Sequence, residues 1–225
     1  MKTTIFGALA LLSFVSVAGA QSPQWQEGKD YFLVAPAQPI NVPAGKVEVT
    51  EVFSYACPVC NRFYPIMDRL RKTLPSNAVV DYVAAGFLPS EDWPVFQRAY
   101  YAAKALGIAA KTHDAMFDAV WKTGQLQTVD PQTGRLKRPL PSIEDVAQWY
   151  HQQTGIPTRT FLAAANSFGV DLQVHQADRY ILACQVFGTP TIIVNGRYRV
   201  EPSSAGGYDQ MVDVVKWLVS KQTKR

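Results

Sequence analysis

The sequence predicts an α/β fold in which a helical domain is inserted between the two parts of one sheet. Three observations predict it. Strand-period segments flank a single helix between residues 47 and 84, helical periodicity runs from 93 to 184, and a hairpin with a last amphipathic helix follows. A lone hairpin is marginal in water, so the late strands are expected to complete the early sheet. The 225 residues suit one domain or two small ones, and 48% hydrophobic with 12% aromatic side chains argues against disorder. A net charge of +4, scattered along the chain, is too mild to point to nucleic acid.

The elements follow in order. Lys2, an apolar run over 5–17 and Ala18-Gly19-Ala20 form the three-part pattern of a secretory signal peptide, cleaved after Ala20. That run falls short of the ~20 residues that span a bilayer, so residues 1–20 read as a leader rather than an anchor. The mature chain is expected to be a soluble monomer in the periplasm, where disulfides persist. Residues 21–46, with Pro23, Pro36, Pro39 and Pro43, read as an extended lead-in. Val47, Val49, Thr50, Val52 and Phe53 mark a strand over 47–55.

A helix opens at Cys57-Pro58-Val59-Cys60, with Phe63, Ile66, Met67, Leu70 and Leu74 along one stripe. Pro65 removes one of its backbone hydrogen bonds, and Pro75 closes it. A strand over 78–84 completes a parallel crossover. Helices are expected at 93–106, 112–122, 142–153, 158–167 and 169–184, with Ser142 and Asp145 as a capping box. The polar stretch 124–141, with a turn at Asp130-Pro131-Gln132-Thr133-Gly134, is expected to be exposed. Asn195-Gly196 joins strands at 191–194 and 197–201, and 208–221 is the last helix. The resulting division is residues 21–90 with 186–225 as one discontinuous domain, and 91–185 as the helical insertion.

The chemistry sits in the cysteines, of which there are three. A Cys-x-x-Cys is half a zinc site, a structural disulfide or a redox pair. Zinc wants four ligands, and Cys184, His113, His151 and His175 show no ligand spacing, so no metal is expected. So short a disulfide loop constrains the unfolded chain little. The redox reading uses position: Cys57 lies where a strand ends and a helix begins. Unpaired N–H groups and the positive helix end there favour the thiolate. Pro58 omits a donor that would be unpaired anyway. Cys57 is therefore expected to be the exposed, reactive thiol, with Cys60 shielded one turn on and Cys184 a buried spectator.

Gly188-Thr189-Pro190-Thr191 enters the third strand, where Pro190 is either an ordinary strand-entry proline or part of a cis bond that frees the Thr189 backbone for an extended partner. Glu51 is either a solvated outward glutamate or a buried acceptor for a proton of Cys60.

These segments together resemble the thioredoxin-fold DsbA family of bacterial periplasmic disulfide oxidoreductases. The match runs through Glu51-Val52-Phe53-Ser54-Tyr55, Cys57-Pro58-Val59-Cys60, the helical insertion, Gly188-Thr189-Pro190 and Val194-Asn195-Gly196-Arg197-Tyr198. The resemblance implies a thioredoxin-like fold and no cofactor. It also implies Cys57 as the attacking and Cys60 as the resolving cysteine, Thr189-Pro190 as a cis-proline loop, and Glu51 as the buried acid beneath the pair. The implied partners are exported proteins with free thiols and a membrane, quinone-linked reoxidant of the DsbB type. The chain departs from the family's best-known members at Val59, where they carry His, and in lacking a Lys on the strand at 78–84. The Val59 side chain offers no donor or charge to Cys57, which predicts a milder oxidant. The alternatives are a reductase or isomerase of the same fold, and a Cu(I) metallochaperone holding metal on Cys57 and Cys60.

Overall fold

A computed structural model describes residues 24–130 and 132–222. The signal-peptide reading of 1–20 falls outside them, as does Pro131 of the expected turn. Five strands, β1 (Phe32–Leu33), β2 (Val47–Phe53), β3 (Ala78–Ala84), β4 (Thr191–Val194) and β5 (Tyr198–Val200), form one sheet in the order β1-β5-β4-β2-β3. The helices are α1 (Pro58–Thr73), α2 (Trp93–Ala105), α3 (Ala109–Trp121), α4 (Ile143–Thr154), α5 (Thr158–Ala165), α6 (Phe168–Ala183), α7 (Pro202–Ala205) and α8 (Tyr208–Gln222).

β2 is an interior strand between β4 and β3, with every residue buried. It runs parallel to β3, in register from Val47↔Ala78 to Phe53↔Ala84, and antiparallel to β4. Parallel neighbours need a crossover, and α1 supplies it. Its stripe of Phe63, Met67 and Leu70 packs with Val47 and Val49 of β2 and Met211, Val214 and Leu218 of α8. On the other face Val52 packs with Ile181, Cys184, Val186 and Ile193. Burying such side chains contributes on the order of 1.5–3 kcal/mol each. Helices α2 to α5 close a second core around Phe96, Tyr100, Phe117, Tyr150 and Phe161. Phe53, Tyr55, Cys57 and Cys60 join that same cluster. The cysteine pair therefore sits on the seam between the sheet and the helices.

The hairpin forms as Asn195-Gly196 predicts, with φ of 55° and 62° at its two tip residues. The capping box on α4 is complete, with Ser142 and Asp145 bonding each other's backbone. α1 runs through Pro65 without a break.

Several expectations need correction. The lead-in contributes β1, which pairs with β5 through Phe32↔Arg199 and Leu33↔Tyr198. Two residues are too few to show a strand period, so only the partner strand reveals them. α3 begins at Ala109 rather than 112 because Thr112 does not cap; its hydroxyl bonds back to the Ile108 carbonyl inside the helix. The stretch 124–141 is not wholly exposed: Leu126 and Thr128 are buried, and Val129↔Leu136 closes a small antiparallel bridge. α7, a single turn, went unpredicted.

Candidate active site

Ser54, Tyr55 and Ala56 carry the chain from β2 into α1. The Cys57 N–H donates to the Ser54 carbonyl at 3.2 Å and the Ala56 N–H to the Ser54 hydroxyl at 3.3 Å. Trp121 Nε1 of α3 donates to the Tyr55 carbonyl at 2.7 Å, and the Tyr55 hydroxyl meets His113 Nδ1 at 3.0 Å. The turn is thus clamped from the helical side before the first cysteine is reached.

Cys57 is the N-cap of α1, with extended backbone (φ −83°, ψ 118°) and Pro58 in the first turn. Its Sγ accepts from the Cys60 N–H at 3.4 Å. From the far side comes the loop before β4, where the Thr189–Pro190 bond is cis and the Thr191 hydroxyl donates to the Gly188 carbonyl at 2.8 Å. The Cys57 thiol donates to the Thr189 carbonyl at 3.6 Å, so residues 132 positions apart share one sulfur. Phe187, 82% exposed, stands beside that loop.

The two thiols are held in opposite states. Cys57 is pulled down to about 6, first because the Cys60 thiol hydrogen-bonds its sulfur. Thr189 and the Cys60 and Val59 backbone N–H groups add to this, against the opposing effect of burial. Cys60 is pushed well above the usual thiol range by burial and then by Cys57. One expectation is corrected here: Cys57 is not an exposed thiol. Only 4% of its surface is accessible, against 0% for Cys60. Its neighbours in the seam cover it.

Glu51 is buried, 1% exposed, and neither carboxyl oxygen has a hydrogen-bond partner among the described residues. Strand alternation could not choose its face; β2 turns it toward α1 and α3. There it lines a cavity of about 360 Å³ with Tyr82, Tyr100, His113, Asp114 and Arg71. Burial, then Cys57, then Asp114 push it up to about 8, so it is largely protonated at neutral pH. His113, read from sequence only as a residue without ligand spacing, is driven by burial to about 3 and stays neutral. Cys184 lies apart from this centre, fully buried, and burial pushes it up to about 11. No group of three or more His, Cys, Asp or Glu side chains placed to hold a metal ion occurs among the described residues.

The geometry brings together Cys57, Pro58, Val59, Cys60, Thr189, Pro190 and, beneath them, Glu51. It also adds Tyr208, whose hydroxyl donates to the Val59 carbonyl at 3.3 Å. No sequence signal marks that contact, because the two residues are 149 positions apart.

Comparison with known proteins meets the same site. A thioredoxin family model matches residues 42–214. The thiol:disulfide interchange protein DsbA of Dickeya dadantii is 32% identical over 223 residues, covering 95% of this chain and 98% of the relative. The protein of that name from Pseudomonas syringae pv. tomato is 31% identical over 218 residues, covering 97% and 94%. Among solved structures, the oxidoreductase DsbA from Xylella fastidiosa aligns with a TM-score of 0.76 at 30% identity, covering 88% of this chain and 97% of that one. Pseudomonas aeruginosa DsbA aligns at 0.73 and 28% identity, covering 89% and 95%.

Proposed function

The chain belongs to the DsbA family of thioredoxin-fold proteins, and on that premise we propose that it is an oxidase of exported proteins, donating a Cys57–Cys60 disulfide. Residues 91–185 act as the helical insertion of the thioredoxin-like domain. In the oxidised enzyme a substrate thiolate attacks Cys57 Sγ. The Cys57–Cys60 bond breaks, and its electron pair leaves on the Cys60 sulfur. Cys60 is a strongly basic thiolate and takes up a proton, for which the protonated Glu51 is the neighbouring donor. A second substrate thiolate then attacks the substrate sulfur of the mixed disulfide, and Cys57 departs as a stable thiolate. Two substrate thiols become one disulfide, and the enzyme's disulfide becomes a thiolate and a thiol.

The observation that carries the direction is the low-lying Cys57 thiolate. Stabilising the reduced form makes the disulfide oxidising, whereas a reductase needs the opposite balance. Thr189 and Pro190 present backbone to an extended substrate, and Phe187 offers it apolar footing. Residues 1–20 are the export leader, and the periplasm is where the enzyme works. Reoxidation by a quinone-linked membrane partner of the DsbB type completes the cycle.

The test is oxidative refolding of a reduced, denatured substrate by stoichiometric oxidised protein. Wild type restores the substrate's disulfides, and neither Cys57→Ser nor Cys60→Ala, which cannot form the Cys57–Cys60 disulfide, does so. Substrate thiols left untouched by the oxidised wild-type protein would overturn the reading.

A further inference from the structure

Tyr208 opens α8 directly after Gly206 and Gly207, whose φ values of +95° and +125° suit glycine and turn the chain sharply out of α7. Its ring rests on Phe63 of α1, with centroids 5.3 Å apart, and its hydroxyl donates to the Val59 carbonyl at 3.3 Å. The Val59 carbonyl and the Cys60 N–H are the two ends of a single peptide group. That N–H is the one that donates to Cys57 Sγ at 3.4 Å.

A hydrogen bond accepted at a peptide oxygen polarises the group and strengthens its N–H as a donor, by about 10–30% per bond. We propose that Tyr208 is a positioning residue for the cysteine pair: its hydroxyl, acting through the Val59–Cys60 peptide, strengthens the donor that faces the sulfur of Cys57. Tyr208 touches neither sulfur and brings no charge. The contribution is a relay from the last helix into the first turn of α1, and Phe63 fixes the ring so that the hydroxyl reaches its acceptor. The inference rests on the reading of Cys57 as the reactive sulfur. The other groups that act on Cys57 are the Cys60 thiol, Thr189, the Val59 N–H and the Glu51 carboxyl, and replacing the Tyr208 hydroxyl removes none of them.

Tyr208→Phe keeps the ring on Phe63 and deletes the hydroxyl alone. In the reduced protein the Cys60 amide proton is expected to move upfield by NMR. The thiolate absorbance of Cys57 should titrate at higher pH, with the thiolate-to-thiol ratio at a fixed pH falling about twofold; that is the size of 10–30% of a hydrogen bond to a charged group. The equilibrium constant against glutathione shifts in the same sense, toward a milder oxidant. Incorporating 3-fluorotyrosine at position 208, a stronger hydroxyl donor, moves both readouts the opposite way. A purely structural role predicts something else: Tyr208→Leu lowers the melting temperature while folded Tyr208→Phe titrates as wild type. An unchanged Cys60 amide shift, or an unchanged Cys57 titration, in folded Tyr208→Phe overturns the proposal. Neither measurement needs a substrate, so failure of wild-type oxidase activity would strike the functional reading and leave this one standing.

Discussion

Cys57 and Cys184 are both buried thiols at helix ends, and they fall on opposite sides of the ordinary thiol range. Cys57 caps the N-terminus of α1 and is pulled down to about 6; Cys184 caps the C-terminus of α6 and is pushed up to about 11. Burial acts on both in the same direction. What differs is the end of the helix and the company there. An N-terminal turn points N–H groups at the sulfur, and a second thiol lies one turn on. A C-terminal turn points carbonyl oxygens outward. Tyr180 and the Arg199 charge act on Cys184 in the lowering direction, but burial outweighs them. Activation of a thiol is therefore decided by the groups that hydrogen-bond its sulfur, here the Cys60 thiol first, and not by how deeply it is set.

The largest expected difference between the two is in alkylation. At pH 6, about half of Cys57 is thiolate, against roughly one part in 10⁵ of Cys184. Limiting iodoacetamide on the reduced protein should label Cys57 at least about a thousandfold faster, read by peptide mapping. Labelling that favoured Cys184 would break the comparison, and labelling that favoured Cys60 would reverse the roles within the pair.

The second test concerns stability against pH, where Cys57 is coupled to the acid beneath it. Cys57 has a folded pKa below its unfolded value. It stabilises the reduced fold fully above about pH 9 and loses that contribution as pH falls through about 6. Glu51 is raised, from 4.5 to about 8. Its contribution is whole below pH 4.5 and is lost as pH rises through about 8. Buried His113, lowered from 6.5 to about 3, acts in the opposite sense and adds stability as pH rises to its unfolded value. The stability of the reduced protein should therefore run nearly flat from about pH 4.5 to 8 and rise to about 9. Glu51→Gln removes the opposing Glu51 contribution and leaves a rise of several kcal/mol spread between about pH 4.5 and 9. Denaturant melts of reduced wild type and Glu51→Gln across this range decide it; identical profiles would mean that Glu51 does not titrate with folding.

Val59→His sharpens the comparison from the activated side. A histidine side chain between the cysteines supplies a donor, or a charge when protonated, where the Val59 side chain supplies neither. We expect the Cys57 titration to drop and the reduction potential to rise by the equivalent of up to about tenfold in the glutathione equilibrium. No change in either would move the tuning to Thr189 and Glu51. The smallest effect belongs to Cys184→Ala, which should cost about 1 kcal/mol of stability and leave oxidase activity intact. Lost activity at unchanged stability would show that Cys184 is no spectator.

Much of this site was legible along the chain because its chemistry is local. Cys57-Pro58-Val59-Cys60 follows a strand and opens a helix, and that juxtaposition alone places one sulfur on unpaired N–H groups. Thr189-Pro190 was legible as a special proline, and its cis state was one of two readings that spacing could not separate. Cys184 was legible as buried because it ends the apolar stretch Tyr180-Ile181-Leu182-Ala183.

What the sequence determined by itself is the set of features whose cause lies within a few residues: the capped helices, the Asn195-Gly196 turn and the cysteines at a helix start. Only the tertiary structure decided the rest. β1 exists because β5 lies beside it, and Glu51 is buried because β2 is an interior strand with α1 and α3 laid over that face. The covering of Cys57 depends on the seam between two cores, and the Val59 carbonyl finds Tyr208 only when α8 packs on α1. The physical reason is common to all four. Local rules fix dihedral angles and helix ends, while burial and long-range hydrogen bonds depend on which surfaces the whole fold brings together.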